Sequence, residues 1–321
     1  MYKIPITLAC GDYDRTRPLW DGSVKVDGLK INTLILPVEE MFFRMVKFQE
    51  FEVSELSMST FLISKDKGEP NFIGIPVFPS RKFRHGDIYI RADSKISKPE
   101  DLRGKKIGMP EFQMTAAVWI RGILEEFYDV HFEEIEWFTE HEERLQINFP
   151  DSINIKNLKN KKPLLQLLYE GELDAIFTAR IPSPLIKCEK WITRLFPNYK
   201  EIEQNYFLQT GIFPIMHVVV LKEEFYQKNV WAAKSIFDAF SSAKEQNFKI
   251  LRNMGSPPVS LPWFFDEIEK TIFLMGEDFW PYGLEKNEKT INVLIDYMKK
   301  QKLLSNEFKY SARQLFAINT L

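Results

Sequence analysis

Ile4-Pro5-Ile6-Thr7-Leu8-Ala9-Cys10-Gly11-Asp12-Tyr13-Asp14-Arg15-Thr16-Arg17-Pro18 sets the reading of this chain. An apolar run, Ile4–Cys10, predicts a strand that ends at a glycine, where the backbone is free to turn sharply. Beyond it come two carboxylates, two guanidinium groups, a hydroxyl and a phenol, with Thr16 and Pro18 placed as the cap and early first turn of a helix. Charges at the exit of a buried strand cost several kcal/mol unless they are paired. A pocket for a small, polar, anionic molecule accounts for them better than an exposed acidic-basic turn.

Working outward, strand and helix alternate. Leu29–Leu36 reads as a strand with Ile31, Thr33 and Ile35 on one face, and Pro37 opens a helix over Val38–Phe48. In that helix Glu39 and Glu40 oppose the dipole, and Met41, Phe42, Met45, Val46 and Phe48 form an apolar face. Val53–Ser59, Phe72–Phe78 and Ile88–Ile90 follow as strands. The character changes near Arg91: Ile107–Met109 is a strand, Thr115 caps a helix to about Tyr128, and Glu134–Thr139 is a strand. Glu140–Lys162 reads as a polar loop, Pro163–Tyr169 as a helix ended by Gly171, and Asp174–Thr178 and Met216–Leu221 as strands. Helices over Glu224–Arg252, Pro262–Phe273 and Asn287–Gln301 complete the chain. Two successive strand-helix blocks predict an α/β protein with two mostly parallel sheets. Ligands of such sheets sit beyond the carboxyl ends of the strands, where Gly11–Arg15, Glu55–Ser59, Pro79–His85, Pro110–Thr115 and Thr178–Pro182 all fall.

The totals agree with this. A chain of 321 residues, 45% apolar and 27% charged, is a folded protein of two lobes rather than a disordered or fibrous one. Lys plus Arg (43) nearly balances Asp plus Glu (45), so no global field favours nucleic acid or an anionic membrane. Cys10 and Cys188 stand far apart in no metal-binding spacing, which argues against a disulfide framework. No apolar run approaches the ~20 residues that span a bilayer, and the start lacks a signal-like h-region. The expectation is a cytoplasmic protein. Neither GxGxxG nor GxxxxGK occurs, so no nucleotide cofactor is expected.

Several stretches are long and compositionally unusual: Ala9–Arg17, Glu40-Met41-Phe42-Phe43-Arg44-Met45, Val53-Ser54-Glu55-Leu56-Ser57, Ile75-Pro76-Val77-Phe78-Pro79-Ser80-Arg81 and Phe83-Arg84-His85. Pro110–Trp119, Gly171–Ala175, Thr210–His217 and Met275–Gly283 continue the series. Taken in order, they resemble the 4,5-dihydroxyphthalate decarboxylase family, which is built on the type II periplasmic-binding-protein-like fold. The stretches Thr139–Lys162 and Gly255–Ser260 depart from it. The resemblance implies two lobes around a central ligand cleft, residues 1–92 with 207–321 forming one lobe and 93–206 the other, with the C-terminal helices returning to the first. It implies a decarboxylase of a hydroxylated aromatic acid, acting on a small-molecule aromatic carboxylate, with a homo-oligomer as an open alternative. A solute-binding protein without catalysis is the alternative function.

Direct loss of CO2 from an aromatic ring would leave an aryl carbanion, so the ring carbon must be protonated first, with electron density drawn from a para hydroxyl. That calls for a positioned acid, a group that ionises the phenol, and cations for the carboxylates. Arg81 and Arg84 are assigned to substrate carboxylates, because the guanidinium fork binds them bidentately. His85 is assigned the proton, as histidine titrates near ~6.5; a solvated basic loop is the plainer reading. Glu55 would accept the phenolic proton if burial raised its pKa, or else serve as a capping carboxylate. His217, among apolar neighbours, reads as a core residue or a cleft residue. Asp12 and Arg15 are placed on the substrate, Thr115 at a helix N-terminal anion site, and Arg180 as a further cation or a salt-bridge partner. Trp280-Pro281-Tyr282 is an aromatic wall or core. No cofactor is required. A divalent metal, the less favoured route, would draw on His85, His217, Glu55 and Asp12, which show no HxH, HxxxH or CxxC spacing.

Overall fold

The computed structural model describes residues 3–150, 153–159, 162–252 and 255–321. In chain order it runs β1 (Ile4–Ala9), α1 (Arg17–Trp20), β2 (Leu29–Leu34), α2 (Val38–Phe48), β3 (Val53–Ser57), α3 (Met58–Lys67) and β4 (Phe72–Ile75). Then come β5 (Ile88–Arg91), β6 (Lys106–Met109), α4 (Thr115–Tyr128), β7 (Glu136–Thr139), β8 (Ile155–Asn157), α5 (Leu164–Glu170), β9 (Ala175–Phe177), α6 (Ser183–Ile186), β10 (Ile192–Arg194) and α7 (Tyr199–Thr210). Last are β11 (His217–Lys222), α8 (Glu223–Lys228), α9 (Val230–Arg252), α10 (Phe264–Met275) and α11 (Glu288–Lys300).

Two compact units result: Met1–Arg81 with His217–Asn292 and Lys309–Leu321, and Lys82–Met216 with Val293–Phe308. The first unit holds a five-stranded sheet in the order β2-β1-β3-β11-β4. β1 lies parallel to β2 and β3, and β11 enters antiparallel between β3 and β4. β3 is buried along its whole length, as a central strand covered on both faces must be. α9 lays Ala232, Ala233, Ile236, Ala239, Phe240 and Ala243 against the core, its small side chains bringing the helix close to the sheet. At the far edge Gly74 bridges to Phe316, whose ring occupies the space where a β-carbon on residue 74 would sit.

The second unit holds a six-stranded sheet, β10-β5-β9-β6-β7-β8. β6, β7, β8 and β9 form its parallel part, while β5 pairs antiparallel with β9 and β10. This pairing carries Ile88–Ile90, expected in the first lobe, into the second unit, whose chain begins at Lys82 rather than 93 and runs to Met216 rather than 206. α11 straddles the division instead of belonging wholly to the first unit.

Other departures have local causes. α3 was not anticipated, because its first seven residues are all buried and show no one-sided stripe. α7 was missed for the opposite reason, being polar with only Tyr206 buried. The long helix expected from 224 to 252 breaks at Asn229, whose side chain bonds back to the Phe225 carbonyl. β8 lies inside the expected loop 140–162, of which 151, 152, 160 and 161 fall outside the described residues. Met114, not Thr115, takes the cap position of α4.

Candidate active site

The centre of the first unit's sheet carries a carboxylate. Glu55, on β3 and 0% exposed, sits among apolar strands and would be costly there without partners. It has four. Oε1 accepts from the Tyr13 hydroxyl at 2.9 Å and meets His217 Nδ1 at 2.5 Å. Oε2 accepts from the Gly11 amide at 2.8 Å and from the Cys10 thiol at 3.3 Å.

Topology explains the meeting. Cys10 and Gly11 leave the carboxyl end of β1, Glu55 nears the same end of β3, and His217 opens β11 opposite Ser57. Burial pushes the Glu55 carboxyl up, but His217, the Gly11 amide and Tyr13 outweigh it and hold the group below the ordinary carboxylate range. The raised pKa required of a phenol base is therefore absent: Glu55 is a resident anion. Burial and that anion push the Tyr13 phenol and the Cys10 thiol up, so both act as neutral donors.

The His217 imidazole is partly open, its side chain 17% exposed, and the edge of Phe42 packs against it with ring centres 4.9 Å apart. With Nδ1 turned to Glu55, Nε2 points the other way and has no hydrogen-bond partner among the described residues. A carboxylate behind Nδ1 fixes ring orientation and favours a proton on that nitrogen.

The turn after β1 completes the site. Thr16 Oγ1 accepts from the Tyr13 amide at 3.1 Å and lies 3.0 Å from the Gly11 carbonyl, closing the loop on itself. Glycine is needed at 11 because the Tyr13 ring lies 2.6 Å from where a β-carbon would be. Arg15 is sandwiched, its guanidinium carbon 4.4 Å from the Tyr13 ring centre and 3.9 Å from that of Trp280. Its Nε donates to the Pro79 carbonyl at 2.8 Å, Nη2 reaches the same oxygen, and Nη1 pairs with Asp14 at 3.1 Å. Trp280 is fixed in turn by its indole N–H on the Phe78 carbonyl at 2.9 Å. Arg15 thus supplies fixed positive charge beside Tyr13 rather than an unoccupied fork.

The other sequence-assigned residues have surroundings of their own. Asp12 pairs with Arg17 at the surface, 3.0 Å away. Arg81 is buried, donating to the Pro281 carbonyl at 2.9 Å and to Asn287 Oδ1; it ties the 281–287 segment down, and burial lowers its guanidinium to about 9. Arg84 meets Asp87 at 2.6 Å with both side chains buried, and its Nε contacts Met216 Sδ at 3.1 Å. The fork meant for a substrate carboxylate is already on a protein carboxylate. Thr115 is buried at the first turn of α4, and Arg180 is exposed after β9. His85 is enclosed by the rings of Tyr128, Phe196 and Tyr206, and its Nδ1 has no hydrogen-bond partner among the described residues. Among the described residues no group of three or more His, Cys, Asp or Glu side chains is arranged to hold a metal ion, and none of the helices is long and apolar enough to cross a membrane.

The setting of His85 has a measurable consequence. Burial lowers its pKa to about 4, so the folded protein keeps it neutral where the unfolded chain, near 6.5, takes up a proton. Between those values the unfolded state binds more protons, and stability rises with pH. Folding stability should therefore fall as pH drops from about 6.5 to 4, by a few kcal/mol for this group. His85→Phe should flatten that part of the profile in thermal melts. An unchanged pH slope in the variant would refute the assignment.

No family model matches the chain. Among solved structures it is similar to the alkanesulfonate-binding protein SsuA from Xanthomonas axonopodis pv. citri bound to MOPS, with TM-score 0.55 and 9% identity over 100% of this chain and 98% of that one. The aliphatic sulphonate binding protein SsuA from Escherichia coli gives TM-score 0.54 and 12% identity over 97% of this chain and 91% of that one. Two α/β units with these sheets thus define a periplasmic-binding-protein-like fold, as the sequence predicted.

Sequence similarity places the chain within that class. It is 33% identical over 298 residues to the 4,5-dihydroxyphthalate decarboxylase of Comamonas testosteroni, covering 91% of this chain and 90% of that protein. It is 38% identical over 189 residues to the Pseudomonas putida protein of the same name, covering 57% and 73%. The chain belongs to the 4,5-dihydroxyphthalate decarboxylase family of carboxy-lyases.

Of the residues assigned from sequence, Glu55, His217 and, through Tyr13, Arg15 form one cluster. Tyr13 and Cys10 were not given roles, and Trp280 was read as part of an aromatic wall or core, not as a partner of Arg15. The signal for Tyr13 and Cys10 lay in the quoted opening stretch, where a phenol follows the strand-ending glycine by two positions.

Proposed function

We propose that this protein decarboxylates a hydroxylated aromatic acid of the 4,5-dihydroxyphthalate type, giving a dihydroxybenzoate and CO2. Family membership supports the reaction class, and the Glu55–His217 pair at the carboxyl ends of β1 and β3 is the observation that carries the chemistry. His217 delivers a proton from Nε2 to the ring carbon bearing the carboxylate. The hydroxyl para to that carbon gives its proton to solvent water, so that its oxygen feeds electron density into the ring as the C–H bond forms. The C–C bond to the carboxylate then breaks, its electron pair restores aromaticity, CO2 leaves, and protons from water return to the phenolate oxygen and to the imidazole. Glu55 holds the ring and balances the imidazolium. Arg15, fixed between two aromatic rings, stabilises the anionic substrate through its field. The role first given to His85 passes to His217, because His85 is enclosed by aromatic rings.

The test is CO2 release by the purified chain from 4,5-dihydroxyphthalate and a panel of hydroxybenzoates, with and without chelator. Turnover insensitive to chelator is the expected result. Loss of activity on chelation, restored by one divalent metal, would recast His217 and Glu55 as ligands. Binding of the panel by calorimetry without CO2 release would favour the solute-binding alternative and end the catalytic reading.

A further inference from the structure

The Tyr13 phenol and the Cys10 thiol meet different oxygens of Glu55, and neither takes part in the proton delivery from His217. Tyr13 is nevertheless held more firmly than a turn residue needs to be. Its amide donates to the Gly11 carbonyl and to Thr16 Oγ1, each at 3.1 Å, and its carbonyl accepts from the amides of Thr16 and Arg17, both at 3.0 Å. The ring packs onto Gly11 and under the Arg15 guanidinium. A cation on a ring face draws electron density from it, which sharpens the hydroxyl as a donor; Arg15 pulls against the burial and the Glu55 charge that push the phenol up.

A carboxylate 2.5 Å from an imidazolium, with no other partner, would hold the imidazolium's proton rather than let it go. For His217 to serve as an acid, the charge on Glu55 must be shared. The Gly11 amide and the Cys10 thiol share it at Oε2, and Tyr13 shares it at Oε1. Among the described residues only Tyr13 donates to the same oxygen as His217 Nδ1. Each neutral donor takes up charge that the imidazolium would otherwise have to itself.

We propose that Tyr13 is a positioning residue that acts through Glu55 to set how readily His217 gives up its proton, with Cys10 as a weaker second donor. What the proton is used for rests on the decarboxylase reading; the coupling itself does not. The charged and titratable groups around the pair are Glu55 from β3 and Cys10, Tyr13 and Arg15 from the turn after β1. Asp14 is paired with Arg15, and Tyr282 and Arg81 lie within electrostatic reach of it. α2 brings the Phe42 ring, and the Ser80 carbonyl accepts the His217 amide at 3.2 Å. Losing a donor leaves more charge on Glu55, so the coupled pair holds its protons more tightly and both limbs of a pH–rate profile move up.

The pH dependence of CO2 release and the ring signals of the histidines test this together. Tyr13→Phe keeps the ring under Arg15 and loses only the hydroxyl. Both limbs of its kcat profile should move to higher pH by about one unit, and kcat at the wild-type optimum should fall severalfold with KM little changed. A purely structural role would lower the amplitude or raise KM and leave the limbs in place. The chain has four histidines, so with 13C-labelled histidine the His217 signal is the one lost in His217→Gln. That signal should titrate about one unit higher in Tyr13→Phe than in wild type. In a Glu55→Gln background Tyr13→Phe should add no shift, because the hydroxyl acts through that carboxylate. If Tyr13→Phe does not fold, Cys10→Ala should move both readouts in the same direction by less. Limbs and ring signal that stay in place, or move to lower pH, in a folded variant would overturn the inference. Wild type that releases no CO2 from any acid tried would overturn the decarboxylase reading, and the ring signal would still decide the coupling.

Discussion

His217→Gln should lower the rate of CO2 release roughly a hundredfold or more while leaving substrate affinity within a few fold. Glutamine retains a side-chain amide able to meet Glu55, but has no titratable nitrogen to pass a proton to the ring carbon. Glu55→Gln should also be slow, for a different reason: an amide in the carboxylate's place removes the charge that balances an imidazolium. The two effects should not add, because both residues act in one proton delivery. Single-turnover rates with bound substrate separate chemistry from binding. Full activity in His217→Gln would remove the pair from the mechanism.

Asp87→Ala is expected to destabilise the protein by about 3–5 kcal/mol, since it leaves the buried Arg84 guanidinium without its counter-charge. It also removes the 2.7 Å partner of Lys82. The melting temperature of the transition that includes the second unit should drop by roughly 6 °C or more. The double variant Arg84→Met/Asp87→Leu should recover part of the loss, because removing both charges avoids an unpaired buried cation. A single variant melting within a degree of wild type would show that Arg84 does not depend on Asp87, and would reopen its assignment to substrate.

How far the fold could be read depended on where each signal resides. α2 was legible to the residue, because Pro37, the acidic first turn and the apolar stripe are all local. β5 was recognised as a strand but given to the wrong sheet. Its partners, β9 and β10, lie some 85–105 residues further on, a pairing no local pattern encodes. The site divides in the same way. Glu55 could be singled out as a carboxylate in an apolar run, and the Gly11–Arg15 turn by its density of polar groups. The partnership of Glu55 with His217 spans 162 positions and depends on the register of β11 against β3. Arg84 was misassigned although Asp87, three residues on, is a spacing that brings side chains together.

The insertion of β11 between β3 and β4 has a consequence for how the protein comes into being. When the ribosome has delivered Arg81, the first sheet has β3 and β4 but not the strand that joins them, and His217 has not been made. At ~5–20 residues per second the missing strand arrives on the order of ten seconds later. Until then two facing strand edges stand open, and Glu55 lacks the imidazole that offsets much of its burial cost. Nascent chains truncated before β11 should therefore be the species that chaperones hold and proteases cut. On the mechanism proposed above, the Glu55–His217 pair forms only as β11 closes the sheet, so no molecule should turn over substrate before that strand is in place.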